Sequence, residues 1–335
     1  MQHSQAIVYH RHGDPLEVLE LVDRPMPEPG TGAVRIKLLA ACVHPSDFGK
    51  VAGSYGRLEH LPAVAGREAL GEVEAIGAGV TGVALGTRVR FPEAGAWQEY
   101  ACCQAAALEL VPEGIAIANA AQSFINPPTA YCLLEKLMDL PKGAWVLQNA
   151  GNSAVGLCII QLAKELGYRT ISEVRRESLE APLKALGADK VVFSGSGWHR
   201  QIEEITAGAP LALALNSVGG ESALDQLRAL SAGGTQVTFG GMVRQPVRFP
   251  TRELIFKDLR LRGFWWDSWV RENGPKASRE IVGRIHQWMR EGRLQLALDQ
   301  AYPMDQYKEA ISRAAAPRLG KVLLAPDPKR LAEEA

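Results

Sequence analysis

The sequence has no usable disulfide framework, no excess of either charge and no long apolar run. Its five cysteines, Cys42, Cys102, Cys103, Cys132 and Cys158, are odd in number and include an adjacent pair. Such a set does not staple a secreted domain, and it points to a reducing compartment. Lys plus Arg and Asp plus Glu both number 37, so there is no global electrostatic footprint for nucleic acid and a polyanionic partner is disfavoured. No window holds 18 uninterrupted apolar residues, and the N-terminus M-Q-H-S-Q-A-I-V-Y-H lacks a basic segment leading into an apolar stretch. Neither a membrane span nor a secretory signal is read from it, and the expectation is a soluble, cytoplasmic protein.

What is present is the composition of an ordinary globular chain, 47% hydrophobic and 22% charged over 335 residues. That length exceeds what one hydrophobic core usually organises, so two domains are expected. From Ala6 to about Ala118 short apolar runs such as Ala33 to Leu38 and Gly71 to Ile76 alternate with Gly, Pro and Asp, the texture of a small β-rich domain. After Pro141 strand-like runs alternate with helical patterns at the spacing of βαβ units, which predicts a doubly wound parallel sheet. The predicted strands are Ala144 to Gln148, Arg169 to Val174, Lys190 to Phe193, Leu211 to Leu215, Thr235 to Phe239 and Leu259 to Phe264. A helix is predicted from Ala154 to Gly167, because Val155, Cys158, Ile159, Leu162, Ala163 and Leu166 fall on one face. Further helical patterns run from Ser278 to Glu291 and Met304 to Ala315, before a strand at Lys321 to Leu324.

The turn Ala150-Gly151-Asn152-Ser153-Ala154-Val155-Gly156 joins the first predicted strand to this helix, where backbone N–H groups and the positive helix end receive a pyrophosphate. Read as an isolated string, it is equally an ordinary strand-to-helix turn. The second strand ends in Val174-Arg175-Arg176, where an NAD-preferring fold would place Asp or Glu. Two planar guanidiniums suit a 2′-phosphate, so NADPH is the expected cofactor. The alternative is a solvated basic helix start, with Glu173 and Glu177 partly neutralising the pair. The glycine-rich edges Asn216 to Gly220 and Phe239 to Met242 fall at the carboxyl ends of later strands, where open α/β sheets bind ligands.

Several blocks then become recognisable: I-N-P-P-T-A-Y from Ile125, Q-N-A-G-N-S-A-V-G from Gln148, N-S-V-G-G from Asn216, G-G-M-V-R-Q-P from Gly240, F-K-D-L-R-L-R-G-F-W-W from Phe256 and H-P-S-D-F-G-K-V-A-G-S-Y-G from His44. In this order they resemble the mitochondrial-type 2-enoyl thioester reductases of the zinc-free medium-chain dehydrogenase/reductase superfamily. The resemblance implies a GroES-like catalytic domain from residues 1–120 and 266–335, with a Rossmann NADPH-binding domain at 121–265 between them. It implies reduction of the C2=C3 double bond of enoyl-CoA or enoyl-acyl-carrier-protein substrates, as in fatty-acid synthesis, and a homodimer.

By the same matching the proton-donating tyrosine falls on Tyr55, otherwise a loop aromatic flanked by Gly53 and Gly56. Cofactor contacts fall on Asn126, on Asn152, Ser153, Ala154 and Val155 at the phosphates, and on Arg175 and Arg176 at the adenosine end. Phe239, Gly240, Gly241 and Met242, with Phe264, Trp265, Trp266 and Asp267, line the crevice, and Lys321 is assigned to the cofactor. Trp265 and Trp266 are equally candidates for an acyl pocket or for core packing. The family's pattern often carries a basic residue where this chain has Glu177.

Gly66-Arg67-Glu68 stands where zinc-dependent relatives have Gly-His-Glu, and His44 stands where they have their first cysteine, so no metal is expected. Two other readings remain at this stage. A quinone oxidoreductase shares the zinc-free architecture but lacks the combination of Tyr55, N-P-P-T-A-Y and L-R-G-F-W. A non-catalytic NADPH-binding relative with a structural or RNA-binding role is disfavoured by the zero net charge and the tyrosine.

Overall fold

The computed structural model describes residues 2–92, 95–195 and 197–333. It divides into two compact units, one from residues 1–125 and 286–335 and the other from residues 126–285.

The second unit holds six strands: β1 (Trp145–Gln148), β2 (Arg169–Val174), β3 (Lys190–Phe193), β4 (Leu211–Asn216), β5 (Thr235–Thr238) and β6 (Arg260–Gly263). They lie in the order β3-β2-β1-β4-β5-β6, every pair parallel. This doubly wound order reverses beside β1, and the carboxyl ends at that reversal form the ligand-binding edge of such sheets. All four residues of β1 are buried, because helices cover both faces of a parallel sheet and its central strands read as continuous apolar runs. Helix α1 (Ala154–Leu166) begins at Ser153, whose hydroxyl accepts the Gly156 N–H. It ends at Gly167 in the left-handed region, φ 77°, the conformation that satisfies the last helical carbonyls at low cost only for glycine.

In the first unit the long strand Ala33–Cys42 is the organiser. It pairs antiparallel with Ala69–Ile76, Tyr100–Gln104 and, near its end, the C-terminal strand Lys321–Leu324. The two ends of the chain therefore share one sheet, and the core built on it includes Val34, Ile36, Leu38, Val73, Phe91, Trp97 and Val322. A smaller antiparallel sheet joins His3–Tyr9 to Glu20–Pro25 and Ala63–Val64.

The unit boundaries fall at 125/126 and 285/286, compared with 120/121 and 265/266 expected from the sequence. The second lies inside the helical stretch Trp266–Arg290, which is broken once, at Gly274-Pro275. A division within a helix leaves no Gly, Pro or polar cluster to mark it.

His286 in the first unit is 3% exposed. The Ser123 hydroxyl donates to the Ala120 carbonyl, so in the 2.9 Å contact between Ser123 Oγ and His286 Nε2 the imidazole N–H is the donor. Burial pulls its pKa from the usual 6.5 down to about 4. The proton therefore favours the unfolded chain, and the stability held above about pH 6.5 is lost as pH falls toward 4. His286→Gln keeps an amide donor for Ser123. Denaturant titrations between those limits are expected to show its pH slope shallower than the parent's, by on the order of 1.4 kcal/mol per pH unit.

Candidate functional site

At the carboxyl edge of β1 the chain turns through Ala150, which adopts a left-handed φ of 47°, a strained conformation for a residue with a Cβ. Gly151 N–H donates to the Glu173 carbonyl at 3.0 Å. A Cβ on Gly151 would lie 2.8 Å from Ser172 Cβ, and one on Gly156 would lie 2.7 Å from both the Ala150 and Gly151 carbonyl oxygens. These two glycines let the turn fold tightly onto the start of α1. Asn152, Ser153, Ala154 and Val155 sit half-buried around that helix start, where N–H groups and the helix dipole favour an anion.

Arg175 and Arg176 follow β2 directly and are exposed. Glu173 does not neutralise them. Its carboxylate is 3% exposed and accepts the Ser194 hydroxyl at 2.7 Å and the Ser222 hydroxyl at 2.6 Å. Burial pushes its carboxyl above the ordinary glutamate range, against the pull of the two serines. The sequence suggested a partial counter-charge here, but both faces of this strand are buried and the Glu173 side chain meets hydroxyls from two other segments.

From Ser222 a polar network crosses the edge of the sheet. Asn149 Nδ2 donates to Ser222 Oγ at 3.0 Å and to Asn216 Oδ1 at 2.8 Å, and Asn149 Oδ1 accepts the Ser217 N–H at 2.8 Å. Asn216 Oδ1 also takes the Gly219 N–H, and its amide donates to Thr238 Oγ1. The 217–219 turn is thus held from below by side chains. The loop beyond β5 lies along it, with Phe239 N–H on the Asn216 carbonyl and Met242 N–H on the Ser217 carbonyl. Phe239 and Gly240 are half-buried, and Gly241 and Met242 exposed.

Phe264, Trp265 and Asp267 are half-buried beyond β6. Trp266 is buried and stacks on Trp269 with ring centroids 5.3 Å apart, so its ring is engaged in packing. Asn126 opens the helix Asn126–Glu135 and is 7% exposed, and among the described residues its side-chain Nδ2 has no partner. A buried amide left without an acceptor is costly unless a ligand supplies one. Together the glycine cradle, the two exposed guanidiniums and this orphaned amide fit a phosphorylated dinucleotide.

In the first unit the helix Pro45–Val51 starts at His44, whose backbone N–H donates to Asp47 Oδ2 at 2.7 Å. Tyr55 lies in the loop just beyond. Its ring rests against Gly49, where a Cβ would approach Tyr55 Cδ2 to 3.3 Å. Arg67 also meets it, 2% exposed, with its guanidinium carbon 5.1 Å from the ring centroid and its Nη1 donating to the phenol oxygen at 3.0 Å. That bond uses a lone pair of the phenol and not its hydrogen.

Next to Arg67, Glu68 is fully buried. Its Oε2 accepts from His44 Nε2 at 2.6 Å, and its Oε1 accepts the Phe124 and Ile125 N–H groups, each at 2.7 Å. Burial raises the Glu68 carboxyl, but the hydrogen bond from His44 and the nearby Lys321 charge outweigh it and hold the group below the usual range. Burial, then the Lys321 ammonium, lower the His44 pKa. A neutral ring donating from Nε2 leaves Nδ1 to accept from Lys321 Nζ at 3.0 Å. Lys321, assigned to the cofactor by resemblance, is 3% exposed and directs its ammonium to His44.

The sequence comparison with zinc-dependent relatives overlooked one grouping. Among the described residues Cys42, His44 and Glu68 bring ligand-type atoms within 4.8 Å of one another, all buried. Cys42 and His44 are two apart on an extended segment and so share a face. The atom types suit zinc, but both imidazole nitrogens and both carboxylate oxygens already hold protein partners, and Lys321 supplies the local positive charge. Also missed were Arg67, Glu173 and Asn149, whose partners lie on segments distant in sequence.

Residues 30–113 match the alcohol dehydrogenase GroES-like domain, and residues 154–283 match the zinc-binding dehydrogenase family. The human protein named mitochondrial enoyl-[acyl-carrier-protein] reductase is 39% identical over 320 residues, 93% of this chain and 86% of that protein. A solved complex of Etr1p with NADP and crotonyl-CoA superimposes with a TM-score of 0.89 at 29% identity, covering 97% of this chain and 100% of that one. The mitochondrial 2-enoyl thioester reductase Etr1p/Etr2p heterodimer of Candida tropicalis gives 0.88 at 28% identity over the same shares. The cytoplasmic placement is thereby corrected, since both the human and the Candida proteins are named mitochondrial. Cysteine usage separates oxidising from reducing compartments and contains nothing that distinguishes one reducing compartment from another. With a Rossmann sheet, a GroES-like unit and this degree of identity along nearly its whole length, the chain belongs to the enoyl thioester reductases of the medium-chain dehydrogenase/reductase superfamily.

Proposed function

We propose that this chain reduces the C2=C3 bond of trans-2-enoyl thioesters carried on CoA or acyl carrier protein, using NADPH, with Tyr55 as the proton donor. When bound, NADPH supplies a hydride at the substrate's β-carbon. The charge this creates on the thioester needs a hydrogen-bond donor and its α-carbon needs a proton, and a phenol serves either purpose. Asn126 offers its amide to the nicotinamide end. Asn152, Ser153, Ala154 and Val155 receive the phosphates, Arg175 and Arg176 the 2′-phosphate. Phe239 to Met242 and Phe264 to Asp267 line the cofactor's path.

The observation that carries this reading is the placement of Tyr55, a half-buried phenol resting against Gly49 and Arg67 with its oxygen as acceptor. NADPH oxidation with a trans-2-enoyl-CoA series and with 1,2-naphthoquinone tests it. Turnover of the thioesters well above that of the quinone supports the proposal, and the reverse order assigns the chain to quinone reduction.

A homodimer is the finer expectation, and the edge of the Rossmann sheet supports it. Among the described residues strand β6 pairs only with β5, and all four of its residues are exposed, as are Ile255 and Phe256 in the helix that precedes it. An unpaired strand edge of this kind is normally covered, and a second copy pairing antiparallel covers it symmetrically. Leu261→Asp is expected to shift the mass measured by light scattering from two chains to one. An unchanged mass removes this edge as the interface.

A further inference from the structure

We propose that Arg67 is a positioning residue for the reduction, acting through Tyr55: its guanidinium holds the phenol oxygen and stabilises the negative charge left there when the proton is given up. This rests on the reading of Tyr55 as the proton donor. Arg67 Nη1 lies 3.0 Å from the phenol oxygen and the guanidinium covers the ring face at 5.1 Å from its centroid. Arg67 is 2% exposed and keeps its charge when buried, close enough to Asp47 to pull down a carboxyl that burial raises. A fixed cation in a desolvated position strengthens every interaction with an anion that forms beside it.

The proton balance gives this contact a role. A hydride from NADPH forms the C3–H bond, NADPH is oxidised to NADP+, and the π pair of C2=C3 moves to the thioester as an enolate. The α-carbon then takes the Tyr55 proton while the O–H bonding pair stays on the phenol oxygen. That oxygen faces Arg67, and a solvent proton restores it. Gly49 leaves room for the ring, since a Cβ there would approach Tyr55 Cδ2 to 3.3 Å.

Arg67 was visible in the sequence only as the residue standing where zinc-dependent relatives carry a histidine. The structure assigns it to the phenol because Ala69–Ile76, which follows it, pairs with Ala33–Cys42, which precedes the Tyr55 loop.

A double-mutant cycle with R67Q, Y55F and the combined variant tests the proposal, read in kcat and KM with a trans-2-enoyl-CoA and NADPH. In the parent background R67Q is expected to lower kcat by about 10- to 100-fold, the range of one charge-assisted hydrogen bond, with KM for NADPH unchanged. In the Y55F background R67Q is expected to have no further effect, and R67K is expected to restore part of the loss. Equal losses from R67Q in both backgrounds, or none in the parent, overturn it. Should R67Q fail to fold, R67K run through the same cycle gives the same decision from a smaller loss. Near-normal turnover of Y55F alone refutes the underlying assignment of Tyr55 and is recognisable as that separate failure.

Discussion

Tyr55→Phe is expected to lower kcat for trans-2-enoyl-CoA reduction by about a hundredfold to ten-thousandfold, the span of positioned general-acid catalysis. The dissociation constant for NADPH is expected to stay within about twofold of the parent, because an interaction made only at the transition state leaves binding of the cofactor alone. The substitution removes one oxygen and keeps the ring that rests against Gly49 and under Arg67. It also removes the acceptor that Tyr55 offers Arg67, a cost of about 1–3 kcal/mol, so a fall in kcat larger than any loss of folded protein is assigned to the missing hydroxyl. Stopped-flow single turnovers with fluorescence titration of NADPH separate the two quantities. Near-normal turnover of the variant removes Tyr55 from the chemistry.

The second large effect is expected at the adenosine end. Arg175→Ala combined with Arg176→Ala is expected to reduce kcat/KM with NADPH by about a hundredfold and to leave the value with NADH nearly unchanged. Each charge-assisted bond to a phosphate contributes about 1.5–3 kcal/mol, and NADH lacks that phosphate. Neither arginine has an acidic partner among the described residues, and the nearest buried carboxylate, Glu173, is occupied by Ser194 and Ser222. The pair thus stands ready for an external anion. Equal losses with both cofactors would show that the arginines serve the dinucleotide in some other way.

Much of the Rossmann unit was legible residue by residue. Strands β2 and β3 and the strand Lys321–Leu324 have the limits read from the sequence, and the other strands of the Rossmann sheet differ by a residue at one end or both. Central parallel strands are buried on both faces and so appear as unbroken apolar runs between turn residues. The stretch Trp266–Arg290 holds two helices either side of the break at Gly274; the second agrees with the helix read from Ser278 to within a few residues, and the first was not read. Its first turns pack a Trp266–Trp269 stack and carry Arg271, Glu272 and Asn273, a composition without a clean apolar stripe. The helix read from Met304 opens with a tighter turn, Met304–Gln306, before Tyr307–Ala315.

The candidate site divides along the same line. Segments whose work is done by their own backbone, such as the Ala150–Gly156 turn, were found because position next to a strand and a helix is a local property. Side chains whose partners come from other segments were not. Arg67 meets Tyr55, Glu68 meets His44 and the Phe124 and Ile125 amides, and Glu173 meets Ser194 and Ser222. The compartment was misread for a different reason, since composition reports redox state and not address.

By itself the sequence determined the two-domain plan: a β-rich part, then a βαβ array with a glycine-containing strand-to-helix turn and a basic second-strand end, since apolar periodicity and turn residues act over a few positions. Only the tertiary structure decided which charges meet. It set Arg67 on the phenol, directed Lys321 to a neutral histidine and turned Glu173 away from the arginine pair. Those contacts depend on strand pairing between residues far apart in the chain, and short electrostatic and hydrogen-bond distances are fixed only once that pairing is made.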